Sequence, residues 1–470
     1  MKRDLLIALV VAALMRILFA IPSFVDKSRV YSVADATGYE LLAVNLLEHG
    51  TLSLSESPPY EPDALRTPLY PLFISGIYSV FGRRPRAVVI LQIAVSALTA
   101  LLVYAIAMSI NSKIALTAAI LFGLSPNIAF YSTMLLTEVL FTSLLLAAVA
   151  FLLAGIGSDG SFRMFLAGIF LGLSTLTRPI SLYFPFLVAI PVVWMYRKNL
   201  KRGVVLLSLF LGAYVAVLSP WLLRNVGTHD RLMFTTAGEL NIFYYHGAMV
   251  KAAHEGVDVD DARRELEFEA IQKAKKSGVP LSHEARVSST RRQIAVRYLR
   301  DFPLIYVGLH AAGFLSSYLL PVPLNPLISY FTPVSERPQL RRSVTQDALA
   351  SLTSGKLIEA TKLVWNERIR KIPPAALFVY IVAGIFQYAV IVGLLLSLTT
   401  LSLRLKYSSV LLLSIVYFTA IPGPLAGPRF RAPIEPLLIM IASYGFHRKL
   451  RKGQVYKPSS VSRLGRDGDH

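Results

Sequence analysis

Two carboxylates and five arginines are the residues of this chain whose types and placement suit chemistry better than packing. Asp35 opens the run Asp35-Ala-Thr-Gly-Tyr39-Glu-Leu-Leu-Ala43-Val-Asn45-Leu-Leu-Glu-His-Gly50, directly after the first long apolar segment. Glu138 sits inside Leu135-Leu-Thr-Glu-Val-Leu-Phe141, where Thr137 is the only other polar residue. An ionised group in such surroundings needs a cation or a hydrogen-bond donor. Arg66, Arg178, Arg224, Arg429 and Arg431 each flank an apolar stretch. Guanidinium groups grip phosphate oxygens in pairs, and fixed positive charge stabilises a departing phosphate. A carboxylate within reach of a hydroxyl or amine acts as general base, worth roughly 10²–10⁴ in rate. Arginines gathered around one or two acids therefore suit displacement of a phosphate leaving group. Taken singly, an arginine at a helix end more often reaches to lipid phosphate than binds a substrate, and Asp35 equally suits an N-cap for a helix over 36–49.

Tyr39, Tyr70, Tyr244 and Tyr245 offer surfaces on which a sugar could stack, although the chain has 22 tyrosines and any single one is as readily core. His246 is a candidate acceptor contact or metal ligand. No metal is assigned, and a divalent ion is the one cofactor left open. With no cysteine, thiolate catalysis and thiolate metal sites are excluded. The chain has no Walker A motif, dinucleotide loop or zinc spacing, which argues against ATP or NAD chemistry.

The elements that must position these residues are membrane helices. The 470 residues are 54% hydrophobic and only 16% charged, against about a quarter charged in soluble domains. Several stretches reach the roughly 17–25 apolar residues that cross a bilayer. The net charge of +20 reflects basic cytoplasmic loops and contact with membrane lipids, not nucleic acid, for which no soluble basic domain exists. The fold class expected is an all-α polytopic membrane protein of about ten to eleven transmembrane helices. Lys2 and Arg3 place the N-terminus in the cytoplasm and Asp35 outside, with the first apolar run a retained signal-anchor.

Residues 1–225 read as an N-terminal transmembrane catalytic module with a first outer loop over 22–86. Within it, Leu69–Gly82 is too short to cross and is expected to lie in the interface, with Tyr70 and Tyr78 at headgroup level. Single crossings are expected at Ala87–Ile110, Ile114–Tyr131, Val139–Gly157, Met164–Thr177, Ile180–Tyr196 and Gly203–Trp221. Arg197-Lys-Asn-Leu-Lys201-Arg202 is the clearest cytoplasmic marker. Residues 226–376 read as mostly external, with surface helices over 258–276 and 282–300. The segment 302–320 either spans or is re-entrant; the re-entrant reading puts Arg404-Leu-Lys406 and the tail inside. Residues 377–447 carry the last transmembrane helices, and 448–470 form a basic cytoplasmic tail.

The order of motifs resembles a GT-C superfamily glycosyltransferase of the family 39 type, which includes protein O-mannosyltransferases and, more distantly, the aminoarabinose transferase of lipid A. The resemblance rests on Asp35-Ala-x-Gly-Tyr39, Ala43-x-Asn45-Leu-Leu-x-x-Gly50, Arg66-Thr-Pro-x-Tyr70-Pro71 and Leu136-Thr-Glu138. It continues through Leu176-Thr-Arg178-Pro179, Pro220-Trp221-x-x-Arg224-Asn225 and Arg429-Phe-Arg431-x-Pro433. It departs at Ala36, where protein O-mannosyltransferases carry a second acid. The resemblance implies inverting transfer of a sugar from a polyprenyl- or dolichyl-phosphate donor to a lipid, glycan or protein acceptor at the external face of the cell (plasma or inner) membrane. Asp35 and Glu138 would be the catalytic acids. Arg66, Arg178, Arg224, Arg429 and Arg431 would contact the donor phosphate, and Tyr39, Tyr70, Tyr245 and His246 the sugar or acceptor. The competing readings are a lipid or sugar flippase, which should show charged span midpoints and repeated halves, and an envelope oligosaccharide ligase.

Overall fold

The computed structural model describes residues 1–157, 160–229, 231–279, 284–333, 358–359, 362, 366, 369–398 and 405–455. No strand occurs among the described residues, as expected where a backbone crossing lipid must satisfy its own hydrogen bonds. The helices run α1 Lys2–Val25, α2 Asp35–His49, α3 Leu69–Phe81, α4 Pro85–Ile110, α5 Ala115–Leu124, α6 Pro126–Tyr131, α7 Glu138–Gly157, α8 Ser161–Thr177, α9 Phe184–Met195 and α10 Leu200–His229. A smaller helical region follows: α11 Ala237–Asn241, a π-turn over Ile242–Gly247, α12 Ala248–Glu255, α13 Val259–Lys276 and α14 Glu284–Asp301. Then come α15 Pro303–Leu319, α16 Leu324–Phe331, α17 Pro374–Leu398, α18 Leu405–Ala420, α19 Pro428–Arg431 and α20 Glu435–Val455.

Five of these, α1, α4, α7, α10 and α17, are long and apolar enough to cross a membrane, and five shorter apolar helical stretches lie among them. The expected single crossing Ile114–Tyr131 is broken. Ser125 and Pro126 end α5 and start α6, because proline supplies no amide to the turn before it and Ser125 Oγ caps the new helix at Ile128 N. The carbonyls freed by the break are met by Arg16, fully buried in α1, which donates to Gly123 O at 2.7 Å and Phe122 O at 3.4 Å, and to Ser96 Oγ at 2.8 Å. The charge that interrupts the first apolar run is thus a brace for a broken neighbour.

The segment after 302 does not continue the helix before it. The stretches Arg286–Asp301 and Pro303–Leu319 meet at 100°, with Phe302 and Pro303 at the corner, so together they make no straight crossing. Arg404 and residues 456–470 of the basic tail lie outside the described residues, as does most of 334–368.

Helix contacts are made close by glycine. An added Cβ at Gly168 of α8 would stand 2.1 Å from Phe210 O of α10, and one at Gly445 of α20 would stand 2.1 Å from Gly393 O of α17. Small residues let backbones touch where hydrocarbon solvent gives little reason for helices to associate.

Tyr70 and Tyr78, expected at headgroup level, find partners within the protein. Both rings are buried in protein, at 0% and 2% exposure. Tyr70 Oη donates to Gln92 Oε1 at 2.5 Å, and Tyr78 Oη donates to Glu40 Oε1 at 3.0 Å. The face of α3 that carries them packs under α2 instead of facing headgroups, because both hydroxyls find buried partners there.

Candidate active site

Asp35 is the first residue of α2, preceded by a 3-10 turn over Lys27–Tyr31. Its carboxylate does not cap the helix; it accepts from Arg66 Nη2 at 2.6 Å and from Arg429 Nη1 at 2.5 Å. Glu138 is the first residue of α7 and Arg178 follows the last residue of α8. These two helices form an antiparallel hairpin, so its geometry brings their open ends together. Arg178 Nη1 donates to Glu138 Oε1 at 2.7 Å, and Arg429 Nε donates to the same oxygen. One continuous chain of charges results, Arg66–Asp35–Arg429–Glu138–Arg178, which joins residues as far as 394 positions apart in sequence, Asp35 and Arg429. Three guanidiniums meet two carboxylates, leaving one net positive charge.

Exposure separates the two acids. The Asp35 side chain is 28% accessible and that of Glu138 only 2%. Burial alone would raise the Asp35 carboxyl, but the Arg429 and Arg66 guanidiniums outweigh it and hold it well below the usual carboxylate range. The same contacts raise Arg66 above its ordinary value against the opposing effect of burial. Glu138 Oε2 is buried without a hydrogen-bond partner among the described residues, as are Tyr131 Oη and Thr142 Oγ1. All three residues line one void of about 10 Å³, close to the room a single water needs. Glu138 is therefore an anchor for two arginines, while Asp35 is the acid a substrate can reach.

Each arginine is held by its own support. Arg66 lies over the Tyr39 ring at 4.7 Å and donates to its hydroxyl at 3.3 Å; its Nε is buried with no partner among the described residues. The backbone at 63–67 is clamped from three sides. Asp63 Oδ2 accepts from the amides of Leu65 and Arg66, Thr235 Oγ1 donates to Ala64 O and Leu65 O, and Thr67 Oγ1 donates to Thr177 O. Arg224 belongs to this clamp: it donates to Asp63 O at 2.7 Å and stacks on Trp221. Arg178 lies between Phe141 and Phe430 at 5.7 and 5.5 Å.

Not every candidate joins the cluster. Arg431, 1% exposed, gives its guanidinium to the carbonyls of Ser317, Leu320 and Pro321 and to Glu435. Glu435 in turn accepts from Asn127 Nδ2 at 2.7 Å and from Ser125 Oγ. Arg431 thus spends four of its five N–H groups fixing the loop that presents Arg429 against the ends of α15 and α5. Tyr70 stacks edge-on against Tyr39 at 5.0 Å and supports it from beneath. Tyr245 sits under Arg263 in the smaller helical region. His246 meets Tyr306 Oη at 3.2 Å and packs against Gly423, six positions before Arg429. Sequence reasoning missed Glu435 and Glu40. Glu435 was signalled by its four-residue spacing from Arg431, the usual separation of a helical ion pair; Glu40, clasped by Tyr31, Tyr78 and Arg83, left no such mark.

A divalent ion does not fit this donor set. Both carboxylates are already engaged by guanidiniums, and no group of three or more His, Asp or Glu side chains gathers among the described residues, whereas a hard cation needs several free oxygens. The site also draws on both ends of the chain, so the first 225 residues do not hold it alone.

With this geometry in place, the relatives are informative. Residues 65–223 match the family model described as dolichyl-phosphate-mannose-protein mannosyltransferase. No curated protein matches the chain in sequence. Among solved structures it is similar to the archaeal oligosaccharyltransferase AglB from Archaeoglobus fulgidus in complex with an inhibitory peptide and a dolichol-phosphate, with a TM-score of 0.52 and 13% identity over 99% of this chain and 53% of that one. The Archaeoglobus fulgidus oligosaccharyltransferase tethered to an acceptor peptide containing the NVT sequon aligns with a TM-score of 0.51 and 12% identity over 96% and 50% of the two chains. The chain spans about half the length of these structures. The chain thus shares its fold with the archaeal oligosaccharyltransferase and, over residues 65–223, is similar to the dolichyl-phosphate-mannose-protein mannosyltransferase family.

Proposed function

We propose that the chain transfers a sugar from a polyprenyl- or dolichyl-phosphate donor to an acceptor, with inversion, at the external face of the cell membrane. The observation that carries this reading is the alternating chain Arg66–Asp35–Arg429–Glu138–Arg178, cationic overall and open to solvent at Asp35. A lipid phosphate supplies the anion that such a cluster lacks. Arg66, with an unpartnered Nε, and Arg429 are the groups that would take its oxygens, and Arg178 holds Glu138 and Arg429 in place. The match to a dolichyl-phosphate-mannose-protein mannosyltransferase model and the dolichol-phosphate bound to the similar archaeal enzyme support a lipid-phosphate donor.

The resting ion pairs have a mechanistic consequence. Asp35 shared between two guanidiniums is a poor base, since they hold its carboxyl well below the usual carboxylate range. A donor phosphate that draws Arg66 and Arg429 onto its own oxygens removes that restraint. Asp35 then takes the proton of the acceptor hydroxyl, the acceptor oxygen attacks the anomeric carbon from the side opposite the phosphate, and the C–O bond to the phosphate breaks. The electron pair leaves with the lipid phosphate, whose developing charge the arginines stabilise. The base would thus become competent only when the donor is bound.

Purified protein incubated with a panel of polyprenyl-phosphate monosaccharides should release lipid phosphate from one of them, and Asp35→Asn should abolish that release while leaving folded protein. Full activity in Asp35→Asn would remove the mechanism. An oligosaccharide ligase reading also draws support from the resemblance to an oligosaccharyltransferase; release from lipid-linked oligosaccharides and from no monosaccharide donor would favour it.

A further inference from the structure

On the opposite side of α2 from Asp35 lies a cavity of about 1120 Å³ lined by Lys27, Arg83, Arg84 and Arg86, with Glu40 the single carboxylate in its wall. At about 100° per helical residue, Glu40 and Thr37 project some 140–160° away from Asp35, so the cavity and the arginine chain share a helix and nothing else. Glu40 offers this cavity little negative charge, being clasped by the hydroxyls of Tyr31 and Tyr78 and by Arg83. Arg86 is partly engaged with Ser23 O and Val25 O at the end of α1. Lys27 and Arg84 are exposed.

The position of this cavity matters as much as its charge. Its wall is made by the 3-10 turn that follows one candidate span, α1, and by the first turns of the next, α4. Ile90, 53% exposed, Leu91 and Phe81, 51% exposed, line the same cavity and face outward. A basic recess with an apolar, laterally open rim at the depth where a span begins has the chemistry of a phosphate-bearing lipid headgroup with its chains. Cations at the cytoplasmic end of a span need no such explanation, but these lie in the loop that carries Asp35 and Arg66, on the side proposed for the reaction.

We propose that this cavity is a second anion site, which takes the phosphate headgroup of a bilayer lipid entering sideways past Ile90 and Leu91. Lys27 and Arg84 provide the charge, and the acyl chains stay along α4. The site stands apart from the donor phosphate position and does not depend on the transfer reaction.

The test measures retention of lipid by the full chain in neutral detergent, by native mass spectrometry, with phosphatidylglycerol and phosphatidylcholine offered together. One phosphatidylglycerol should be held over phosphatidylcholine, and Lys27→Ala with Arg84→Ala should weaken it by roughly tenfold to thirtyfold, as expected for two cations near an anionic headgroup. Lys198→Ala with Lys201→Ala, in the basic run at the far end of α10, should leave retention unchanged. Equal loss in both double variants would reduce the effect to general surface charge and overturn the proposal, as would undiminished retention in the first. Inorganic phosphate that displaces the lipid at millimolar concentration would also overturn it, by making free phosphate the ligand. Circular dichroism and the thermal midpoint of the Lys27/Arg84 variant should match wild type, since neither side chain supports the fold.

Discussion

At the scale of single residues, the two acids of the cluster are not equivalent, and their substitution should separate chemistry from stability. Removing one partner of a buried ion pair strands the other charge and costs about 3–5 kcal/mol. Glu138→Gln leaves Arg178 and Arg429 facing a neutral amide at a position 2% exposed, so we expect a marked fall in thermal midpoint and in the yield of folded protein. Asp35 is partly open to solvent, where water screens the loss, so Asp35→Asn should change the midpoint little and abolish lipid-phosphate release. Comparing thermal midpoint and release for the two variants checks this. A Glu138→Gln protein as stable as wild type would deny its role as anchor. Arg224 makes a third case. Acting through the backbone of Asp63, its replacement by Lys should misplace Arg66 and raise KM for the donor more than it lowers kcat.

At the scale of elements, the loop over 421–431 must be held in register for Arg429 to reach both acids. One end is fixed by Arg431 and Glu435 and the other by a contact between the smaller helical region and the membrane helices. Gly423, at φ +55°, packs against His246 and His310, a backbone conformation that L side chains adopt at a cost of about 1–2 kcal/mol. Gly423→Ala adds a Cβ 2.9 Å from His246 Cε1, so it should lower both stability and transfer without touching a reacting group. Burial, and after it the neighbouring His310, lowers the His246 imidazole from its ordinary 6.5 to about 4. The neutral ring is therefore the folded form, and this contribution is complete above pH 6.5. As the pH falls toward 4 the unfolded chain binds a proton that the folded one refuses, and stability on the order of 3 kcal/mol is lost. The thermal midpoint should drop between those values, and His246→Gln should flatten the drop; an equally steep fall in that variant would assign the pH dependence elsewhere.

At the scale of the whole molecule, Asp35, Arg66, Glu138, Arg178 and Arg429 were legible because a charge in an apolar chain has few places to go, and short polar motifs between apolar runs mark helix ends. What the sequence did not reveal depends on contacts between distant elements: Arg431 as a buried brace, Arg16 closing a broken helix, the tyrosines of α3 turned inward. Helix lengths alone also leave the sidedness of the membrane to charge counting. The structure makes that question testable, because the chain has no cysteine. Glu61 is exposed in the loop that carries Arg66, and Lys201 is exposed near the start of α10. Arg224, tied to Asp63 near the far end of the same helix, lies 23 residues beyond Lys201, about 35 Å at 1.5 Å per residue. That exceeds the roughly 30 Å of a bilayer core, so Glu61 and Lys201 are expected on opposite sides. Positive residues collect on the cytoplasmic side, and Lys201 stands in the densest basic run. In right-side-out vesicles a membrane-impermeant thiol reagent should therefore label Glu61→Cys and spare Lys201→Cys until detergent is added. The reverse pattern would put the arginine chain in the cytoplasm and end the external-face reading, while labelling of both would mean that α10 does not cross.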